Sequence, residues 1–337
     1  MKIPRKLSRI IGSLLRILSA LLVVLGTPLL LYWLWNPAGN ALPDALVLRE
    51  NGIWIGHGWL GGNDWFTRYR VDPGYFRNPG RIEALLDKLE ENRIRFVYAH
   101  LCPSELRGGI APYESEQVER FLDAAGRHQI AVLPWIGGVF GESARPSDPV
   151  WRRNFIASVG EMLEKHPRLA GVQLNIEPLP SGDNDFLTLL DELRPVLGER
   201  ILGVAAYPPP SRWHSFPDLH WDSFYLAEVA KRSDQLAVMM YDTGIKFDKF
   251  YIDLLRRWAG ELGRATAGTG CRVLYGLPAY DDNQSGYHDP KVENLGNALA
   301  GVLAAPRACN VTGVAIYSEW EMTPDEWQLW RRHLAGN

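Results

Sequence analysis

The sequence predicts an α/β fold, a (β/α)8 TIM barrel preceded by one N-terminal transmembrane helix. Three observations carry this. Eight short apolar runs, each followed by a helical pattern, recur at intervals of about thirty to forty residues. The 337 residues suit one large domain of the barrel type, or two ordinary ones. No Gly-rich phosphate loop follows the first apolar run, which argues against the alternative, a doubly wound open sheet.

At the N-terminus Lys2, Arg5, Lys6, Arg9 and Arg16 precede an uncharged apolar run from Ile17 to Trp35. That run is long enough to span a bilayer and longer than the core of a signal peptide, roughly 7–15 residues. Tyr32, Trp33 and Trp35 fall where an interfacial aromatic belt lies, and Pro28 is tolerated in a membrane helix. No convincing small-x-small cleavage site follows. Residues 1–16 are therefore expected to be a cytoplasmic basic segment and 17–35 an uncleaved signal-anchor, with a cleaved signal as the alternative. The barrel then lies on the outer, periplasmic or extracellular, side.

Residues 36–50 form a Pro/Ala/Asn linker, and 51–337 the barrel domain. The predicted strands are Ile53–Gly58, Arg95–Leu101, Ile130–Ile136, Gly171–Glu177, Ile201–Tyr207, Gln235–Tyr241, Arg272–Tyr280 and Val311–Tyr317. Helical periodicity marks Arg81–Asn92, Ser115–Arg127, Val150–His166, Asp185–Leu197, Phe247–Leu262 and Val292–Leu303. A last helix, Pro324–Leu334, has Thr323 as cap and Pro324 at its first position.

With 46% hydrophobic residues the chain can bury a large core. A net charge of −3 and the lack of a basic stripe beyond the N-terminus argue against a nucleic-acid partner. The 13 Trp and 13 Tyr lean towards carbohydrate, because flat apolar sugar faces stack on aromatic rings. Of the 3 cysteines, Cys271 and Cys309 each precede one of the last two strands and are expected to pair at the bottom rim. Cys102 is then a free thiol at the upper end of strand two. The 8 His are scattered singly, without metal-ligand spacing, and no cofactor is expected.

The fourth strand carries the strongest signal. Alternation places Gln173, Asn175 and Glu177 on one face, with Val172, Leu174 and Ile176 on the other. Polar groups on an otherwise apolar strand are costly to bury without a partner, and at the C-terminal end of a barrel strand they read as catalytic. The other strand ends supply His57 and Trp59, Tyr98 and His100, Trp135 with Gly137-Gly138, Tyr207, Tyr241 and Asp242, Tyr280 to Asp282, and Tyr317 to Trp320, Glu319 included. An aromatic rim with a few carboxylates suits a neutral ring-shaped substrate, so a polysaccharide or glycan is the expected partner.

On these residues the chain resembles the family 18 glycoside hydrolases, the chitinase-like barrels. Glu177 falls on the closing acid of their Asp-x-x-Asp-x-Asp-x-Glu strand, and Met239-Met240-Tyr241-Asp242 on their Met-x-Tyr-Asp. Gly137-Gly138 keeps the glycines of their Ser-x-Gly-Gly, and Gly276-Leu277-Pro278-Ala279-Tyr280 is similar to their Gly-Leu-Pro-x-Tyr. The three motif aspartates fall at Ala170, Gln173 and Asn175, and the eighth-strand Trp at Tyr317. The Asn-x-Glu that results resembles the family 85 endo-β-N-acetylglucosaminidases.

The resemblance implies a glycosidase in which Glu177 protonates the leaving oxygen while the substrate's acetamido group attacks the anomeric carbon. Asn175, Tyr241 and Asp242 complete the catalytic set. Gln173, Tyr98, His100, Trp135, Tyr207, Tyr317, Glu319 and Trp320 are expected to bind substrate. Without the aspartates, desolvation alone is left to keep Glu177 protonated, which favours mildly acidic conditions. The alternatives are a retaining enzyme with Glu319 or Asp242 as second carboxylate, and a chitinase-like lectin without catalysis.

Overall fold

The computed structural model describes residues 5–39, 50–211, 219–281, 286–306, 308 and 310–335. Its strands are β1 (Asn51–Ile55), β2 (Ile94–His100), β3 (Ala131–Val139), β4 (Gly171–Glu177), β5 (Ile201–Ala206), β6 (Gln235–Met239), β7 (Arg272–Pro278) and β8 (Val311–Tyr317). They close in sequence order, all parallel, with β8 returning to β1. The predicted TIM barrel is the observed fold. Two predicted strands, β4 and β8, match to the residue; β1 stops at Ile55 because His57–Trp59 turns into a 3-10 helix.

The helices are α1 (Arg5–Leu34), α2 (Asp64–Tyr69), α3 (Pro73–Arg77), α4 (Pro79–Glu91), α5 (Ser115–Arg127), α6 (Pro149–Lys165), α7 (Asn184–Leu197), α8 (Ser223–Ala230), α9 (Asp248–Ala265), α10 (Leu295–Leu303) and α11 (Pro324–Trp330). Local chemistry explains their starts. Asp148 and Asp183 accept backbone N–H bonds as caps of α6 and α7, and Thr323 with Glu326 forms a capping box on α11. α8 was not anticipated: its eight residues are too few for a clear period. α1 precedes the barrel and meets it at its C-terminal end. Its stretch Ser13–Leu34 is long and apolar enough to cross a membrane, and none of its most apolar window is buried.

Alternation along each strand builds two apolar layers. Outward side chains such as Ile53, Val97, Val172 and Leu174 pack against the helices. Inward ones, Trp54, Phe96, Tyr98, Leu133, Ala237, Leu274 and Ala315, fill the barrel. Two hydrogen bonds cross the interior: Trp54 Nε1 donates to Gln173 Oε1 at 2.7 Å, and the Tyr98 hydroxyl to Gln235 Oε1 at 2.6 Å, while both glutamine amide nitrogens are unpartnered. Cys271 is a buried free cysteine beside Ser233. Its expected partner Cys309 and the rim residue Asp282 lie outside the described residues. Cys102 is the free thiol expected at the top of β2.

Candidate active site

The site forms where β4 leaves the barrel. β3 lies beside it with Gly137 opposite Asn175 and Val139 opposite Glu177. Gly137 has φ +136°, and a Cβ there would sit 2.0 Å from the Asn175 carbonyl oxygen. Only glycine lets β3 approach this part of β4 so closely.

Glu177 is half-buried at the strand's end. Asn175 Nδ2 donates to its Oε1 at 2.6 Å, and the Tyr207 hydroxyl to its Oε2 at 3.1 Å. Burial lifts the carboxyl above the usual carboxylate range; the two hydrogen bonds pull it down, and the Asp242 charge adds a smaller push up. The net shift is upward, which keeps a proton available at higher pH than an ordinary glutamate does. Asp242, from the β6 loop, thus supplies part of the like-charge effect that the missing β4 aspartates were expected to leave absent. Two buried polar atoms beside Glu177 have no partner: Asn175 Oδ1, an acceptor, and Trp135 Nε1, a donor. In a protein interior such atoms are exceptions.

Tyr317, closing β8, sits among five rings. It stacks on Tyr241 (centroids 5.4 Å apart, planes 17°) and meets Trp54, Trp135, Tyr280 and Trp320 edge-on at 5.3–6.2 Å. Tyr241, Tyr280, Tyr317 and Trp320 line the larger cavity and Trp135 the smaller, with Trp54 buried in the barrel interior.

Glu177 separates two cavities and lines both. One, about 780 Å³, is walled by Tyr207, Tyr241, Asp242, Tyr280, Tyr317 and Trp320. The other, about 480 Å³, is walled by His57, Trp65, Arg68, His100, Trp135 and Asn175. Burial pushes the His100 imidazole down to about 4 and lowers that of His57, so both are neutral at pH 7. Arg68 is exposed and paired with Asp64 at 3.4 Å.

Of the residues expected from sequence, Glu177, Asn175, Tyr241, Asp242, Tyr207, Tyr317, Trp320, Trp135 and His100 come together in this cleft. Three do not. Tyr98 and Gln173 are wholly buried one layer deeper, where they pair with Gln235 and Trp54. Glu319 lines neither cavity, and its charged neighbour is Lys88 on α4. Glu321 takes the place beside Trp320 in the cleft wall, and its Oε2 accepts from Asp281 N at 2.9 Å.

Behind the larger cavity Asp242 and Tyr280 meet two buried residues that the sequence did not announce, His288 and Glu293. Asp242 adopts φ +58°. The Tyr280 hydroxyl donates to Asp242 Oδ1, and His288 Nδ1 lies 3.5 Å from the same oxygen and 3.8 Å from Glu293 Oε2. Glu293, fully buried, accepts from Thr243 N and Gly244 N, both at 3.0 Å. Its carboxylate fixes the loop that follows Tyr241-Asp242. Among the described residues no cluster of three His, Cys, Asp or Glu is arranged to hold a metal ion.

No family model matches this chain, and no curated protein matches it in sequence. Solved structures do. A chitinase from Chromobacterium violaceum is 15% identical over 86% of this chain and 100% of its own, with a TM-score of 0.57. The C-terminal domain of a putative chitinase from Desulfitobacterium hafniense is 14% identical over 85% and 99%, at 0.56. The spore cortex-lytic enzyme SleL of Bacillus cereus is 9% identical over 85% and 74%, at 0.57. The fold is that of the chitinase-like barrels.

Proposed function

We propose that this protein is a membrane-anchored glycoside hydrolase that cleaves an N-acetylhexosamine-containing polysaccharide or glycan with retention, assisted by the substrate's own acetamido group. The observation that supports it most is the half-buried Glu177, its pKa raised, set between two cavities and beside an unpartnered Asn175 oxygen. A sugar ring rests on Tyr317 with its acetamido N–H on Asn175 Oδ1 and its acetamido oxygen near the Tyr241 hydroxyl. Glu177 gives its proton to the glycosidic oxygen as the C–O bond breaks, and the acetamido oxygen closes on the anomeric carbon. Water then attacks the anomeric carbon from the face the leaving group vacated, opposite the acetamido oxygen, breaking the C–O bond of the oxazolinium ring, and the Glu177 carboxylate takes the water's proton. The anchor reading rests on Ser13–Leu34, with the basic residues before it cytoplasmic and the barrel outside.

The test is turnover of paired oligosaccharides with and without the acetamido group, by the protein and by Glu177→Gln. Cleavage of the acetamido substrate alone, abolished in the variant, is the expected result. Equal cleavage of both excludes substrate assistance and moves the case to a second protein carboxylate, for which Asp242 is in the cleft and Glu319 is not. Binding without cleavage of either makes the protein a lectin.

A further inference from the structure

Among the described residues, the C-terminal end of α1 touches the barrel at the rim that carries the cleft. α9 begins just after the β6 loop bearing Tyr241 and Asp242, so its first turn lies on that rim. There Lys249 Nζ donates to the carbonyl oxygens of Tyr32, Trp33 and Trp35 at 2.7–2.9 Å. These are carbonyls that the end of a helix leaves without intrahelical partners, and a cation at that end suits the helix dipole. The Tyr32 hydroxyl donates to Asp248 Oδ1 at 2.5 Å. Phe247 and Phe250 pack against Tyr32, and Phe250 against Trp35, at 5.4–6.0 Å between centroids. The aromatic belt at the end of the apolar helix thus continues onto the barrel.

A second, independent observation concerns where the barrel leaves large apolar side chains exposed. Among the described residues only Val196 is exposed on the far half of the molecule. The others lie in connections after strand C-termini or in the first turn of the next helix, among them Leu106, Phe224, Phe247, Phe250, Tyr287 and Trp320. Leu106, Phe224, Phe247 and Phe250 line neither cavity, so the sugar cleft does not account for them. The opposite rim presents charge instead, including the Arg168 ion pairs with Glu119 and Asp123.

We infer that the barrel is held with its cleft-bearing rim against the bilayer into which α1 inserts, and that the cleft takes a saccharide joined to lipid rather than a polymer free in solution. The inference rests on the anchored-hydrolase reading. It follows from geometry: a spanning helix whose last turn is bound to this rim brings the rim to the interface, where Trp, Tyr and Phe side chains are at home.

The full chain in lipid nanodiscs tests it, with a fluorescent amino acid at Val23, Phe224 or Glu199 and doxyl-lipid as quencher. Strong quenching at Val23 and Phe224 but not at Glu199 is expected. Equal quenching at Phe224 and Glu199, or none at Phe224, overturns the rim placement; no quenching at Val23 overturns the anchor itself. An N-acetylhexosamine oligosaccharide tethered to lipid in the disc should be cleaved at least about tenfold faster than the same oligosaccharide free, because tethering raises its effective concentration at the rim. Phe247→Ser with Phe250→Ser should erase that preference and leave cleavage of the free oligosaccharide unchanged. Equal rates on the two forms overturn the substrate inference. If neither form is cleaved, the hydrolase reading fails, and binding of the two forms to the same discs decides between tethered and free ligand.

Discussion

On one side of Glu177 the cleft is walled by rings from β5 to β8; on the other it is walled by neutral imidazoles, an exposed ion pair and the short helix α2. The first arm is built on strand ends and braced from behind by Tyr280, His288 and Glu293. The second arm is built largely on the β1–α4 connection, whose aromatic side chains Trp65, Phe66 and Phe76 pack on one another. Precise placement is needed where bonds change, and rigid strand ends supply it. A leaving group needs only to be held, and a short helix on the rim suffices. On the proposed reading the reacting sugar lies over the ring-walled arm with its acetamido group reaching Asn175 at the shared wall, and the departing chain lies in the other arm.

Substitution at the shared wall should have the largest effect. Glu177→Gln should lower kcat by roughly 10²–10⁴-fold, the usual contribution of general acid catalysis, while saccharide binding in both arms survives. In the unaltered protein kcat should fall as pH rises through the raised Glu177 pKa, since the proton is then lost; a kcat that rises with pH across this range would count against the assignment. Asn175→Ala should come next. Losing a buried hydrogen-bond partner costs about 1–3 kcal/mol, roughly 5–150-fold, and the loss should be larger on substrates that carry the acetamido group than on those that lack it, which feel only the lost bond to Glu177. Asn175→Asp should keep turnover and move the alkaline limb to higher pH, because a second carboxylate beside Glu177 raises its pKa.

The arms themselves are separated by a pair of smaller changes. Tyr317→Ala removes the ring on which four others converge edge-on and one stacks. It should lower kcat/KM by about 10-fold or more, given about 0.5–1.5 kcal/mol per aromatic contact beyond area burial. Trp65→Ala should raise KM for long oligosaccharides and leave the shortest cleavable ones untouched. Equal effects of the two on short and long substrates would erase the assignment of the arms. This is read from steady-state kinetics across a length series.

The same contrast explains which parts of the site are legible in the sequence. Alternation identified the inward face of β4 and the rim positions of the ring-walled arm, because each is a strand-end residue with a fixed side. It gave the face but not the height. Tyr98 and Gln173 point inward as expected, yet each lies two residues before the cleft residue of its own strand, His100 and Asn175, and is wholly buried. Glu319 was misplaced because β8 ends at Tyr317 and a 3-10 turn follows, where the period of two no longer applies. The second arm was mostly hidden. His57, His100 and Trp135 were visible at strand ends, but Trp65 and Arg68 sit on a six-residue helix too short to leave a periodic trace. Glu293 lies in a connection and becomes significant only when the chain brings Thr243 and Gly244 to it.

That carboxyl gives the test with the smallest expected effect on catalysis, confined to the brace of the ring-walled arm. Burial raises Glu293 from the usual 4.5 to about 7, against the pull of the Thr243 hydrogen bond and the His288 charge. The folded state therefore favours the protonated form, and the associated stability is fully present below the unfolded pKa and lost as pH rises through about 7. His288 acts in the same direction. Burial lowers its pKa, but Asp242 and Glu293 outweigh that and the net is upward, so its contribution also fades as pH rises. Melting temperature should accordingly fall between pH 5.5 and pH 8, and calorimetry of Glu293→Gln should show a flatter dependence. Thr243 N and Gly244 N bond different carboxylate oxygens, so the amide oxygen keeps one of these bonds and the amide NH2 faces the other; turnover at pH 6 should change by only a few fold, within the range of one neutral hydrogen bond. A variant as pH-sensitive as the parent would shift the titration to another buried group. A variant that lost turnover as fully as Glu177→Gln would show that the brace, and not the shared wall alone, sets the chemistry of this arm.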